Sequence, residues 1–148
     1  MLRSKTCLAD VNVWLALATD RHVHHVAATA WFESLPEEGA VFCRVTQMGF
    51  LRLLTNRAVM GDDVLSPADA WARYALLRRD WRIGFAPEPS GFEESWIGLM
   101  THAAGASWTD GYLAAFALGH GYSLASFDAG FRRWKELRFH LLRPAGAP

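Results

Sequence analysis

Short apolar runs alternate with amphipathic segments along the whole chain. Thr6 to Ala9 is apolar over a strand's length. Val11 to Ala18 follows at once, with Trp14, Leu15, Leu17 and Ala18 at helical spacing. His22 to Leu35 reads as a second helix, apolar at Val26, Ala30 and Phe32 and stopped by Pro36. After a turn at Glu37-Glu38-Gly39, Ala40 to Cys43 reads as a strand. Thr46 is placed to cap a third helix ending at Leu54. Polar punctuation at Thr55-Asn56-Arg57 and Gly61-Asp62-Asp63 predicts a loop. Ser66-Pro67 supplies a cap and a first-turn proline for a helix to Arg79, and Ile83 to Phe85 is a brief strand. Phe92, Trp96, Leu99, Met100 and Ala103 form a helical stripe that Gly105 ends. Ser107 opens another helix, terminated by Gly119 and Gly121. Ser123 to Phe127 is a strand, Ala129 to Leu137 holds a turn or two of helix, and Phe139 to Leu142 is a final strand before the tail Pro144 to Pro148.

This alternation predicts a three-layer α/β/α sandwich around a central, mostly parallel sheet. The chain has 148 residues, with no repeat or linker, which fits one domain over 1–148. Right-handed crossovers bring the carboxyl ends of the strands to one rim. Asp10 and Asp128 each follow a predicted strand, and Asp110 lies in the first turn of a predicted helix. Two unit charges about 4 Å apart repel by roughly 4 kcal/mol at an effective dielectric of 20. Three acids on one rim therefore ask for an offsetting charge, and a hard cation with oxygen ligands, Mg²⁺, is the natural candidate.

Each acid also has a plainer explanation. Asp is a favoured helix cap, worth about 1 kcal/mol over Ala. Asp10 can cap the helix from Val11, Asp128 the turn at Ala129, and Ser107-Trp108-Thr109-Asp110 fits a broad capping box. What ties the three together is the topology. Asn12 and Ser126 stand beside two of the acids as groups that can orient a carboxylate or a water.

Composition narrows the rest. Lys plus Arg is 15 and Asp plus Glu is 15, so net charge gives a nucleic acid no long-range attraction; any such binding needs a local basic patch. Arg132, Arg133, Lys135 and Arg138 follow Asp128 closely and offer one, with Arg132 and Arg133 the candidate nucleic-acid contacts. Arg52 is expected on a helix near the rim, either ion-paired or clamping a phosphate. Trp108 and Trp134 lie close in sequence to the acids and are candidates for base stacking. His22, His24 and His25 suggest a metal cluster but lack a fourth ligand at suitable spacing; a polar helix start explains them as well. Cys7 and Cys43 read as small buried hydrophobes, fitting a reducing compartment. With no signal-peptide pattern and no apolar stretch of spanning length, a cytoplasmic protein without membrane contact is expected.

Five blocks in order resemble the PIN-domain nucleases, and within them the VapC toxins of toxin–antitoxin modules. They are Leu8-Ala9-Asp10-Val11-Asn12-Val13-Trp14-Leu15, the helix with His25, Ala28 and Trp31, the run Thr46 to Asn56, Trp108 to Ala117, and Ser126-Phe127-Asp128-Ala129-Gly130-Phe131. The resemblance implies a Mg²⁺-dependent endoribonuclease, with Mn²⁺ as a substitute ion. It would hydrolyse RNA by a metal-activated water held at Asp10, Asp110 and Asp128. It further implies a cognate antitoxin, an RNA substrate of the tRNA or rRNA class, and a homodimer. Two positions depart from the pattern. A glutamate usual on the third helix is replaced in the stretch Gln47-Met48-Gly49, leaving Gln47 as a supporting polar contact. A further acid after Asp128 is replaced by Gly130. The thinner acidic set favours one tightly held ion. It also keeps open the alternative of a catalytically weakened domain that only binds RNA or antitoxin.

Overall fold

The computed structural model describes residues 4–144; most of the predicted tail lies outside them. Five strands, β1 (Cys7–Ala9), β2 (Ala40–Phe42), β3 (Ile83–Phe85), β4 (Ser123–Ser126) and β5 (Phe139–Leu141), form one sheet. Its order is β3-β2-β1-β4-β5, and every neighbouring pair is parallel. The connections run outward from β1 to β3, then return to β4 on the other side of β1. Strand order thus reverses between β1 and β4, the place where open α/β sheets form a crevice at their carboxyl ends.

Among the described residues, seven α-helices cover the sheet: α1 (Val11–Ala18), α2 (His25–Glu33), α3 (Arg44–Leu54), α4 (Arg57–Met60), α5 (Pro67–Leu77), α6 (Phe92–Thr101) and α7 (Trp108–His120). The pleat sorts the strand residues between two cores. Cys7, Ala9, Ala40, Phe42 and Ala125 face a core built with Trp14, Phe32, Phe50 and Tyr74 from α1, α2, α3 and α5. Leu8, Val41, Cys43 and Leu124 face the opposite core with Phe92 of α6 and Leu113 and Phe116 of α7. Because both faces are covered, β1 and β2 are buried and apolar without alternation, as inner strands of a parallel sheet require, while the edge strand β5 alternates around an exposed His140. Trp14 stacks on Phe42 with ring centroids 3.9 Å apart, fixing α1 against β2. The predicted three-layer architecture is the observed one.

Local chemistry moved several boundaries. α2 starts at His25 rather than His22, because residues 22–24 form a turn in which His22 Nδ1 accepts from the His24 N–H at 3.0 Å. Thr46 does not cap α3 from outside. Cys43 holds that place, and the Thr46 hydroxyl, one turn in, accepts the Cys43 N–H at 2.9 Å as half of a capping box. The loop expected after Thr55 contains α4, capped by Asn56 through the Ala58 N–H, and a short 3₁₀ helix over Gly61–Asp63.

Candidate active site

Asp10 leaves β1 directly into α1. Its backbone N–H stays in the sheet, donating to the Ala125 carbonyl at 2.9 Å, which ties the end of β1 to β4. Its side chain is the α1 cap, with Oδ1 accepting from the Val11 N–H at 2.7 Å. Oδ2 accepts from the Ser126 hydroxyl at 2.8 Å. Ser126 is fully buried and serves as a hub: its Oγ also accepts from Asn12 Nδ2 at 3.1 Å and from the Asp128 N–H at 3.0 Å. Asn12 Oδ1 in turn accepts from the Phe127 N–H at 3.3 Å. One hydroxyl therefore links the first acid, its neighbouring amide and the backbone of the last acid.

Asp128 caps a 3₁₀ helix over Ala129–Arg133, its Oδ1 accepting from the Gly130 N–H at 2.8 Å. A Cβ at position 130 would lie 3.1 Å from that same oxygen. The residue replacing the expected acid therefore lets the chain close tightly around Asp128. Asp110 reaches the crevice from the first turn of α7, where its N–H donates to the Ser107 hydroxyl at 2.9 Å. All three acids are caps or first-turn residues, as the plainer reading has it, and the topology also brings them together.

Their electrostatics show the proximity. Burial pushes the Asp10 carboxyl above its ordinary range; hydrogen bonds from Ser126 and Val11 oppose this, and the charges of Asp110 and Asp128 add to it. Asp110 is also raised, first by burial and then by Asp128, while Ser107 and the Arg133 guanidinium pull it down. Negative charge only partly offset in a partly desolvated crevice is what a hard cation would relieve. The donor set fits such an ion chemically, being all carboxylate oxygen with amide and hydroxyl support. Among the described residues, however, no three His, Cys, Asp or Glu side chains converge to hold an ion at once. Asp10 and Asp128 spend oxygens on backbone and hydroxyl donors.

The other expected residues fall at various distances from this centre. Arg133 lies beside the acids: its Nε donates to the Gly130 carbonyl at 2.9 Å and its guanidinium rests 5.6 Å from the Trp134 ring centroid. Arg132 is exposed and lines a different groove. Gln47 is buried in the first turn of α3, with its amide oxygen accepting from Arg44 Nη1. Arg52 is not near the rim. α3 starts at the carboxyl end of β2 and runs away from it, so Arg52 in its last turn stands about 12 Å along the axis, beside Trp71 and Pro67. Trp134 is buried at 6% exposure with its indole N–H on the Leu99 carbonyl, which removes it as a stacking platform. Trp108 is exposed, but two residues of helix turn it about 160° from Asp110, onto Trp96. One neighbour was not read from the sequence as part of the site. The His24 ring stacks on Phe127 with centroids 4.5 Å apart, bringing the histidine turn against the segment between Ser126 and Asp128. Sequence spacing gives no hint of a contact across a hundred residues.

A PIN domain family model matches residues 7–137. Ribonuclease VapC41 of Mycobacterium tuberculosis H37Rv is 43% identical over 142 residues, covering 91% of this chain and 97% of the relative. Ribonuclease VapC39 of the same strain is 33% identical over 132 residues, covering 84% and 89%. Among solved structures, the Mycobacterium tuberculosis VapC20 toxin, described as cleaving the sarcin–ricin loop, superposes with a TM-score of 0.64 at 20% identity, over 86% of this chain and 94% of that one. VapBC-1 from nontypeable Haemophilus influenzae gives 0.66 at 15% identity, over 92% and 97%. The resemblance carried by the five sequence blocks thus extends over nearly the whole fold, and the chain belongs to the PIN domain family.

Proposed function

We propose that the protein is a metal-dependent endoribonuclease toxin of a toxin–antitoxin module. The observation that carries this reading is the polar hub at the β1–β4 switch point, which organises Asp10 and Asp128 with Asp110 close enough to feel both. The names of the curated relatives support the same activity. Asp10, Asp110 and Asp128 would hold a Mg²⁺ ion, with Mn²⁺ able to replace it. When bound, the ion supplies Lewis-acid polarisation of the scissile phosphate and a lowered water pKa. Mg²⁺ keeps several of its waters and needs only one or two carboxylates directly, so a set that does not converge as a closed cage suits it.

The chain's own groups divide the remaining work. Ser126 and Asn12 fix Asp10 so that its carboxylate does not reorient on binding. The Gly130 N–H does the same for Asp128. Arg133, held by the Gly130 carbonyl beside Asp110, is placed to take a phosphate oxygen of the substrate. Gln47 acts through Arg44, to which its oxygen is committed. The substrate is an RNA of the tRNA or rRNA class, and the protein works in the cytoplasm as a homodimer. Its partner is an antitoxin; several of the structural neighbours are toxin–antitoxin complexes. Among the described residues no helix is long and apolar enough to cross a membrane.

Asp10→Asn and Asp110→Asn test the reading directly. Purified wild-type protein should cut a structured RNA in Mg²⁺, and each variant should lose activity by about 10²–10³-fold or more while remaining folded. Cleavage by either variant at the wild-type rate would refute the three-acid mechanism. A second reading, a domain that binds RNA or antitoxin without cutting, is suggested by the reduced acidic set, with Gln47-Met48-Gly49 and Gly130 where the resemblance leads one to expect further acids. Mg²⁺ binding by wild type without any cleavage would select it.

A further inference from the structure

The acid site poses a problem for its own substrate. Three carboxylates repel a polyanion, and the chain's formal net charge is zero, so no overall field draws RNA in. Arg52 stands at the far end of α3, and Arg44 is engaged with Gln47 and lies over the Phe85 ring. Cations for the flanking strand must come from elsewhere on the rim.

A groove of about 430 Å³ along the outer edge of the sheet meets this need. Its floor is apolar, made by Leu137 and by Phe139 and Leu141, alternate residues on one face of β5. Arg132, Lys135 and Arg143, all exposed, line it. The groove is tied to the acid site by two links in the chain. Arg132 belongs to the 3₁₀ helix that Asp128 caps. In the register of the last two strands Ser126 pairs with Leu141, and the Leu142 N–H donates to the Ser126 carbonyl at 2.9 Å.

We infer that this groove binds the sugar–phosphate backbone of the RNA strand beside the scissile bond, holding single-stranded substrate that the acids alone would repel. An apolar floor with cationic walls suits a single strand, whose phosphates take the cations and whose riboses and bases cover the apolar surface. The inference rests on the ribonuclease reading for its ligand, but binding can be measured apart from cleavage.

The test uses the full chain carrying Asp10→Asn, to prevent cutting, and a fluorescein-labelled oligouridylate of twelve nucleotides as probe, titrated by anisotropy at several salt concentrations. Adding Arg132→Gln and Lys135→Gln should weaken binding at low salt by about tenfold. It should also flatten the slope of log affinity against log salt by about 1.4, since each single-strand phosphate contact contributes roughly 0.7. Arg57→Gln with Arg79→Gln removes the same charge from α4 and from the segment after α5, neither of which lines the groove, and should change neither quantity; a circular dichroism melt checks that both double variants fold. Equal weakening in both pairs would show a general charge effect and overturn the inference. So would an unchanged slope in the groove variant, or no binding by the parent. Loss of binding to a polyglutamate peptide with oligouridylate binding intact would overturn it in favour of an acidic protein partner. If the protein with Asp10 restored cuts no RNA while the groove variant still loses oligouridylate, the nuclease reading fails and the groove stands.

Discussion

β1 and the middle of β4 are apolar, while Ser126 at the end of β4 and Asp10 just past β1 are polar, and the two regions obey opposite rules. Within the sheet, Leu8, Ala9, Leu124 and Ala125 are completely buried and need no partner beyond the packing of the two helical layers. One residue further on, Asp10 is pushed toward its neutral form by burial and by two neighbouring acids. The first region stabilises the fold; the second holds charge the fold would be more stable without. That contrast teaches where to look for function: a cost placed on a well-packed platform, at the point where strand order reverses, with hydrogen bonds that orient the charge rather than remove it.

The contrast can be broken first on its packed side. Phe42→Ala removes a completely buried ring stacked on Trp14 and should cost about 3–5 kcal/mol in chemical denaturation. A loss below about 1 kcal/mol would mean the platform is looser than the packing indicates.

The hub comes next. Ser126→Ala deletes the donor to Asp10 Oδ2 and the acceptor for Asn12 and for the Asp128 N–H. RNA cleavage, or metal affinity, should fall about 10–100-fold. Unchanged values would make Ser126 a packing residue only.

Asp10→Asn should act on stability with the opposite sign to Phe42→Ala. The folded Asp10 carboxyl titrates above its ordinary value of 3.8, so the folded state binds its proton more tightly than the unfolded chain. Stability is therefore lost as pH rises from the ordinary carboxylate range through the raised folded value, and the cost is complete above it. In the absence of divalent ions the Asn variant should melt higher than wild type at neutral pH, and the gap should close as pH falls below about 4. A gap independent of pH would mean that charge is not the cause. The smallest effect separates cap from charge: Asp10→Ala should be about 1 kcal/mol less stable than Asp10→Asn, because Asn caps α1 as well as Asp and Ala does not.

The contrast also explains what the chain disclosed as a sequence. The sheet and six of the helices were legible because both-faces-covered strands are continuous apolar runs and the helices between them carry clear stripes. α4 was not, since its four residues between polar punctuation, three of them exposed, have no stripe, only the Asn56 cap. The three acids were legible as strand-end and helix-start residues. The hub was half legible: Ser126 and Asn12 could be named, but not that one hydroxyl serves three partners, because that depends on the β1–β4 register. Arg52 was misplaced because sequence marks a helix face without marking which end of the helix meets the rim. Trp134 was misread because its exposure depends on α6, thirty-five residues away.

The central claim is that Asp10, Asp110 and Asp128 form one divalent-ion site. Calorimetric titration of Mg²⁺ into wild type, Asp10→Asn and Asp110→Asn tests it most directly, since it needs no RNA. Saturable binding by wild type that both variants lose or greatly weaken is the predicted result. Binding that survives unchanged in both variants would contradict the account.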